Sequence, residues 1–186
     1  MGYGLLAVGK TTPVLIEMGV VRLNGVPDHA ERLQRIFQTM QQLIQKHRPT
    51  SLAIEAPFFG KNVQSMLKLG RAQGVAMAAA MMSGLPATEY APRSVKLAVT
   101  GRGNASKDQV RAMLHQVLRF ESDIAAPMDA TDALAVALCH HYELCKPKFP
   151  ALPGLPTQLG ATLGSRGRKK TTSWAAFAQQ NPDRVL

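Results

Sequence analysis

The sequence predicts an α/β domain, a mixed sheet with helices on its faces, followed by a basic tail. Three observations predict it. Two runs rich in apolar and branched residues, Met1 to Val8 (MGYGLLAV) and Val14 to Leu23 (VLIEMGVVRL), flank Gly9 to Pro13 and read as a hairpin. Short apolar strands at Ser51 to Ile54 and Ala87 to Ala91 then alternate with helical stretches, and that alternation places helices on a sheet. After Cys145 the composition changes, with Pro147, Pro150, Pro153 and Pro156 interleaved with Gly154, Gly160, Gly164 and Gly167. Such a segment has no core of its own. The expected division is a domain over residues 1–145 and a linker with a flexible basic tail over 146–186.

Each element has a local reason. Asp28 opens a helix, with Glu31 three residues on as a capping-box partner. Ala30, Leu33, Ile36, Phe37, Met40, Leu43 and Ile44 then form one apolar stripe, a core face, and Arg48-Pro49 ends it. The strand from Ser51 delivers Glu55, and Ala56-Pro57 breaks it at once. Asn62 caps the next helix, which runs to about Met82. Its middle, Gly70 to Ala80, is full of small residues. A glycine inside a helix costs up to roughly 1 kcal/mol against alanine. Gly70 and Gly74 therefore answer a packing need, either against the helix's own sheet or against a partner. Pro92 ends the second short strand, and Arg93 to Val99 is helical. A Gly-rich loop follows, Thr100 to Ala105. Ser106 with Gln109 forms a capping box for a helix with its apolar face on Val110, Met113, Leu114, Val117 and Leu118. Pro127 stops the chain before a last, buried helix running to about Tyr142.

The totals bound the function. A chain of 186 residues can bury a sizeable core without disulfides. Cys139 and Cys145 lack zinc spacing and read as reduced thiols of a cytoplasmic protein. No apolar run reaches membrane length, and the Met1 region lacks the order of a signal peptide. The formal charge of +10 points to a polyanion, with nucleic acid first. From Lys146 onward seven Lys and Arg stand against Asp183 alone, so six of the ten net charges lie there. The cluster Arg166, Arg168, Lys169 and Lys170 suits a nucleic-acid arm. Trp174 and Phe177, on a brief amphipathic turn, leave open a peptide that docks a protein partner.

The chemistry concentrates in carboxylates. Asp129 and Asp132 stand three apart at the start of the last helix, on one face and near the positive end of its dipole. Either a divalent ion holds them, or Asp129 caps the helix and Asp132 favours its first turn. Glu55 finishes an apolar strand, where a carboxylate must be paired, metal-bound or solvated. Sites in open α/β sheets form beyond such strand ends. The three acids offer oxygen ligands for a hard cation, so Mg²⁺ is favoured over Zn²⁺. Paired Mg²⁺ suits phosphodiester hydrolysis. His140 and His141, further along the helix, read as ordinary helix residues. Phe58 and Phe59, ahead of Gly60, Lys61 and Asn62, either stack on or wedge between bases or tuck into the core. Lys96, Arg102 and Lys107 flank the Gly-rich loop as phosphate ligands or as ordinary surface charges.

Taken together, Ala53-Ile54-Glu55, Phe58, Lys61-Asn62, Lys68-Leu69-Gly70, Gly74-Val75-Ala76, Glu89-Tyr90-Ala91, Val95-Lys96, Gly101 with Gly103, Lys107 and Asp129 to Ala135 stand in order at fitting intervals. They resemble the RuvC family of bacterial Holliday-junction resolvases over roughly residues 1–145. The resemblance implies a ribonuclease-H-like fold, a homodimer, and Mg²⁺-dependent paired nicking of four-way DNA junctions. The implied cofactor is two Mg²⁺ ions per active site, with Mn²⁺ able to substitute. A branch-migration helicase of the RuvA and RuvB type is the implied partner. Glu55, Asp129 and Asp132 fall on the family's acidic metal site, Phe58 on its junction-probing aromatic, and Lys96 and Lys107 on basic residues beside the active site. Lys61 and Arg102 join them as candidate DNA ligands. There is one departure. The family carries a further Asp on a first, central strand just before the Gly-Tyr-Gly seen here as Gly2-Tyr3-Gly4, and this sequence starts at that motif. The expectation is that Met1 is an internal methionine and that translation begins upstream. The alternative is a junction-binding protein that does not cut because one metal ligand is absent.

Overall fold

The computed structural model describes residues 1–8, 12–57, 62–120 and 127–146, all within one compact unit, Met1–Lys146. Phe58, Phe59 and Lys61 lie outside the described residues, as do the linker and basic tail beyond Lys146. The expected hairpin is present. Strand β1 (Gly2–Ala7) pairs antiparallel with β2 (Val14–Val20), from Gly2 opposite Val20 to Ala7 opposite Val14, with a register shift between Leu5 and Leu6.

Helix α1 (His29–His47) starts at Asp28, whose carboxylate accepts the Glu31 N–H at 3.0 Å. It ends at Arg48, which takes the left-handed conformation at φ 46°. Its last turn is tied back to the hairpin. Glu17 of β2 accepts from Lys46 at 2.6 Å, lies 2.9 Å from His47 Nε2, and accepts from the Tyr3 hydroxyl at 3.0 Å. The Lys46 and Tyr3 hydrogen bonds hold the Glu17 carboxyl down at about 2.

Helix α2 (Val63–Met82) is capped by Asn62, which accepts the Ser65 N–H at 3.1 Å. Ala76 and Ala79 are buried against Ile36 and Met40 of α1, where small side chains let the two helices approach. The glycines behave differently. A Cβ at Gly70 or Gly74 would meet nothing within 4 Å. Close packing on the helix's own sheet is therefore not what these two glycines serve. They lie on an open face with Leu67, Ala78 and Met81.

Strands β3 (Leu52–Glu55) and β4 (Ala87–Tyr90) pair in parallel, Leu52 with Ala87 through Glu55 with Tyr90. Helix α3 (Pro92–Thr100) ends at Gly101, where φ of 73° suits a residue without a Cβ. Helix α4 (Lys107–Leu118) has both halves of the Ser106–Gln109 capping box. Helix α5 (Met128–Cys145) runs nearly a turn past the expected end. Its N-cap is Pro127, so Asp129 sits inside the first turn and does not cap it.

The strands have the mixed character expected, and among the described residues they form two two-stranded sheets, one antiparallel and one parallel. Both lie on the same apolar cluster. Leu134 and Leu138 of α5 are fully buried among Val95 and Val99 of α3 and Val110, Leu114 and Leu118 of α4. Leu6, Leu15 and Met18 of the hairpin and Ala53 and Tyr90 of the parallel pair pack onto that cluster.

Candidate active site

Four elements converge where α5 begins. Glu55 is the last residue of β3, Asp129 and Asp132 occupy the first turns of α5, and Lys107 is the first residue of α4. The hairpin closes on the same place. A Cβ at Gly2 would overlap the Asp129 carbonyl, and one at Gly4 would stand 2.6 Å from Leu134 Cδ2. Only glycine lets β1 lie flat on the N-terminal half of α5.

The charges in this cluster feel one another. Lys107 Nζ lies 2.8 Å from Asp132 Oδ2, with both side chains partly exposed. The hydrogen bond to Asp132, then its charge, pushes the Lys107 ammonium up, and Glu55 and Asp129 add to the effect. Glu55 is pushed up, chiefly by desolvation and next by repulsion from Asp132, against the pull of Lys107 and Lys96. Its backbone carbonyl accepts from Gln73 Nε2 of α2 at 2.6 Å. Asp129 is exposed, and the Met1 α-ammonium lies 3.7 Å from its Oδ2.

Glu55, Asp132, Lys96 and Lys107 are thus electrostatically coupled, with Asp129 at the margin. Among the described residues no three His, Cys, Asp or Glu side chains stand close enough together to hold a metal ion. The donor chemistry nevertheless fits a hard cation. Every acidic donor is a carboxylate oxygen, and Asp132 already pairs with a cation, the Lys107 ammonium. Arg102 is not drawn in. It lines an open groove with Thr100, Gln109, Met113 and His115. Phe58 and Lys61 lie outside the described residues.

Two contributors escaped the sequence reading. Gln73 was hidden in a small-residue helix, and its signal is a polar side chain flanked by Ala72 and Gly74. His140 is more than an ordinary helix residue. Its Nε2 lies 2.9 Å from Ser51 Oγ and its Nδ1 lies 2.8 Å from Tyr90 Oη. Its position two turns after Asp132, in an otherwise apolar helix, was the available signal.

A family profile described as crossover junction endodeoxyribonuclease RuvC matches residues 1–140. The chain belongs to the RuvC family. The RuvC of Porphyromonas gingivalis is 49% identical over 186 residues, all of this chain and 90% of that protein. The RuvC of Cytophaga hutchinsonii is 48% identical over 185 residues and is covered to 82% of its length. Both matches extend through the basic tail, beyond the family profile. A solved structure titled T. thermophilus RuvC in complex with Holliday junction substrate superposes with a TM-score of 0.71 at 32% identity, over 77% of this chain and 87% of that one. A second Thermus thermophilus RuvC structure gives 0.69 at the same identity. The fold is accordingly the ribonuclease-H-like α/β type that the resemblance implied. Among the described residues no helix is long and apolar enough to cross a membrane.

Proposed function

We propose that this RuvC-family chain is a structure-specific endonuclease that resolves four-way DNA junctions by paired, Mg²⁺-dependent phosphodiester cleavage. The observation that carries the reading is the coupled cluster of Glu55, Asp132 and Lys107 at the meeting of β3, α5 and α4. Glu55, Asp129 and Asp132 would hold the metal, as two Mg²⁺ ions or Mn²⁺ in their place. The bound metal supplies an activated water and charge stabilisation at the leaving oxygen. Lys107 and Lys96 draw the scissile phosphate toward the carboxylates. Arg102 binds flanking phosphate from its groove. Phe58 probes the junction bases beside Lys61, and the segment 146–186 is a basic arm that holds duplex DNA.

The active assembly is a homodimer through the open face of α2, where Gly70, Gly74 and Ala78 allow a second helix close. Exposed Leu67 and Met81 supply apolar area at its ends. A branch-migration helicase of the RuvA and RuvB type delivers the junction in the cytoplasm.

The test is nicking of a synthetic four-way junction. Glu55→Gln and Asp129→Asn should abolish nicks while keeping junction binding, and that binding should weaken steeply with salt as phosphate contacts require. A second reading, a junction-binding protein that does not cut, is favoured because among the described residues no three His, Cys, Asp or Glu side chains stand close enough to hold a metal ion. Undiminished binding with no nicks at any Mg²⁺ or Mn²⁺ concentration would establish that reading and overturn the first.

A further inference from the structure

Resting on the endonuclease reading, we infer that Tyr90 and His140 form a hydrogen-bonded brace that sets the spacing of Glu55 against Asp132. Both are positioning residues for junction cleavage. The two acids ride on different elements, Glu55 on β3 and Asp132 on α5. The seat of the β3–β4 pair on α5 is made by side chains. The apolar ones, Ala53 and Tyr90 against the α5 cluster, resist separation but give little resistance to sliding.

The imidazole of His140 supplies direction. It lies between Ser51, just before β3, at 2.9 Å and the Tyr90 phenol, at the end of β4, at 2.8 Å. The Tyr90 and His140 rings meet edge to face, with centroids 5.7 Å apart. Tyr90 is also the register partner of Glu55, and its carbonyl accepts the Ala56 N–H at 2.8 Å. The path from Glu55 to Asp132 is therefore short: one backbone hydrogen bond, one phenol–imidazole bond, and two turns of α5. Desolvation lowers the His140 pKa and raises that of Tyr90, so at neutral pH an uncharged ring faces a protonated phenol and the bond is retained. Carboxylates that share a reacting phosphate tolerate little misplacement. A shift of about 1 Å can cost on the order of 100-fold in rate.

The experiment uses the full chain with Tyr90→Phe, His140→Asn and His140→Leu. Asparagine can still offer a polar atom near the position of Nδ1, and leucine cannot. Four quantities are read: the single-turnover rate on a four-way junction, the junction dissociation constant in Ca²⁺, the dissociation constant for Mn²⁺ by calorimetry without DNA, and the melting temperature. Tyr90→Phe should slow cleavage roughly 3- to 30-fold and weaken Mn²⁺ binding a few-fold, with junction affinity unchanged within about 2-fold. His140→Asn should recover most of what His140→Leu loses.

Wild-type rates and Mn²⁺ affinity in Tyr90→Phe and His140→Leu would overturn the brace. So would losses that scale with melting temperature and junction affinity alike, which mark a merely structural role. If the wild-type chain binds junctions without cutting, the endonuclease reading fails. The Mn²⁺ titration then decides the brace by itself, a few-fold weakening upholding it and an unchanged affinity overturning it.

Discussion

Replacing Glu55 by glutamine should make the metal-free protein more stable at neutral pH while destroying the activity proposed for it. The carboxyl is pushed up by desolvation and by Asp132, and Lys107 and Lys96 do not fully offset this. A carboxyl whose folded pKa is raised stabilises the fold while protonated, below its unfolded value, and loses that contribution as pH rises through the folded value. At pH 7.5 ionised Glu55 is therefore a cost. Glutamine has nearly the same volume and carries no charge. Glu55 is exposed at the end of β3, so solvent screening holds the gain to at most about 0.5–1 kcal/mol. For a chain of this size that is about 1 to 4 °C in melting temperature. The assay is calorimetry without metal at pH 7.5 and again near pH 4, where wild-type Glu55 takes up its proton and the difference should close. A variant less stable than wild type at pH 7.5, or a gain that persists unchanged into acid, would refute the reasoning.

Three further predictions use other parts of the molecule. Leu134→Ala empties a fully buried site in the main core and should cost about 3 kcal/mol, read as a lowered denaturation midpoint in urea. Glu17→Gln should cost about 1 kcal/mol at pH 7. The folded Glu17 pKa is depressed to about 2, so its contribution is present above the unfolded carboxylate range and fades as pH falls toward 2. The gap between variant and wild type should close over that interval in acid titrations of stability. Lys107→Met removes an exposed ion pair and should change stability by less than about 1 kcal/mol, yet lower the single-turnover cleavage rate by at least roughly 100-fold.

The sequence carried most of the fold because the signals were local. Asp28, Asn62 and Ser106 each accept from a backbone N–H three residues on, and such caps depend on nearest neighbours alone. The Glu55, Asp129 and Asp132 positions were legible for a related reason, since each stands at the end of an element with a clear apolar pattern. What was not legible was long-range. Nothing near Gly70 or Gly74 distinguishes a helix packed on its own sheet from one with an open face. The division of four strands into two ladders depends on which edges meet. The Tyr90–His140 bond joins residues fifty apart, and neither sits in a motif that singles it out.

The two ladders have a consequence for how the molecule opens. Strands that share a sheet protect one another's amides, so a continuous sheet exchanges hydrogen as a unit. Here β1–β2 and β3–β4 share no such bonds among the described residues, and α5 is the common floor beneath both. Neither pair's ladder protects the other's amides, so hydrogen exchange is expected to report the two pairs separately. Every described strand also borders an edge, and an uncovered edge offers unpaired amides to a neighbouring chain.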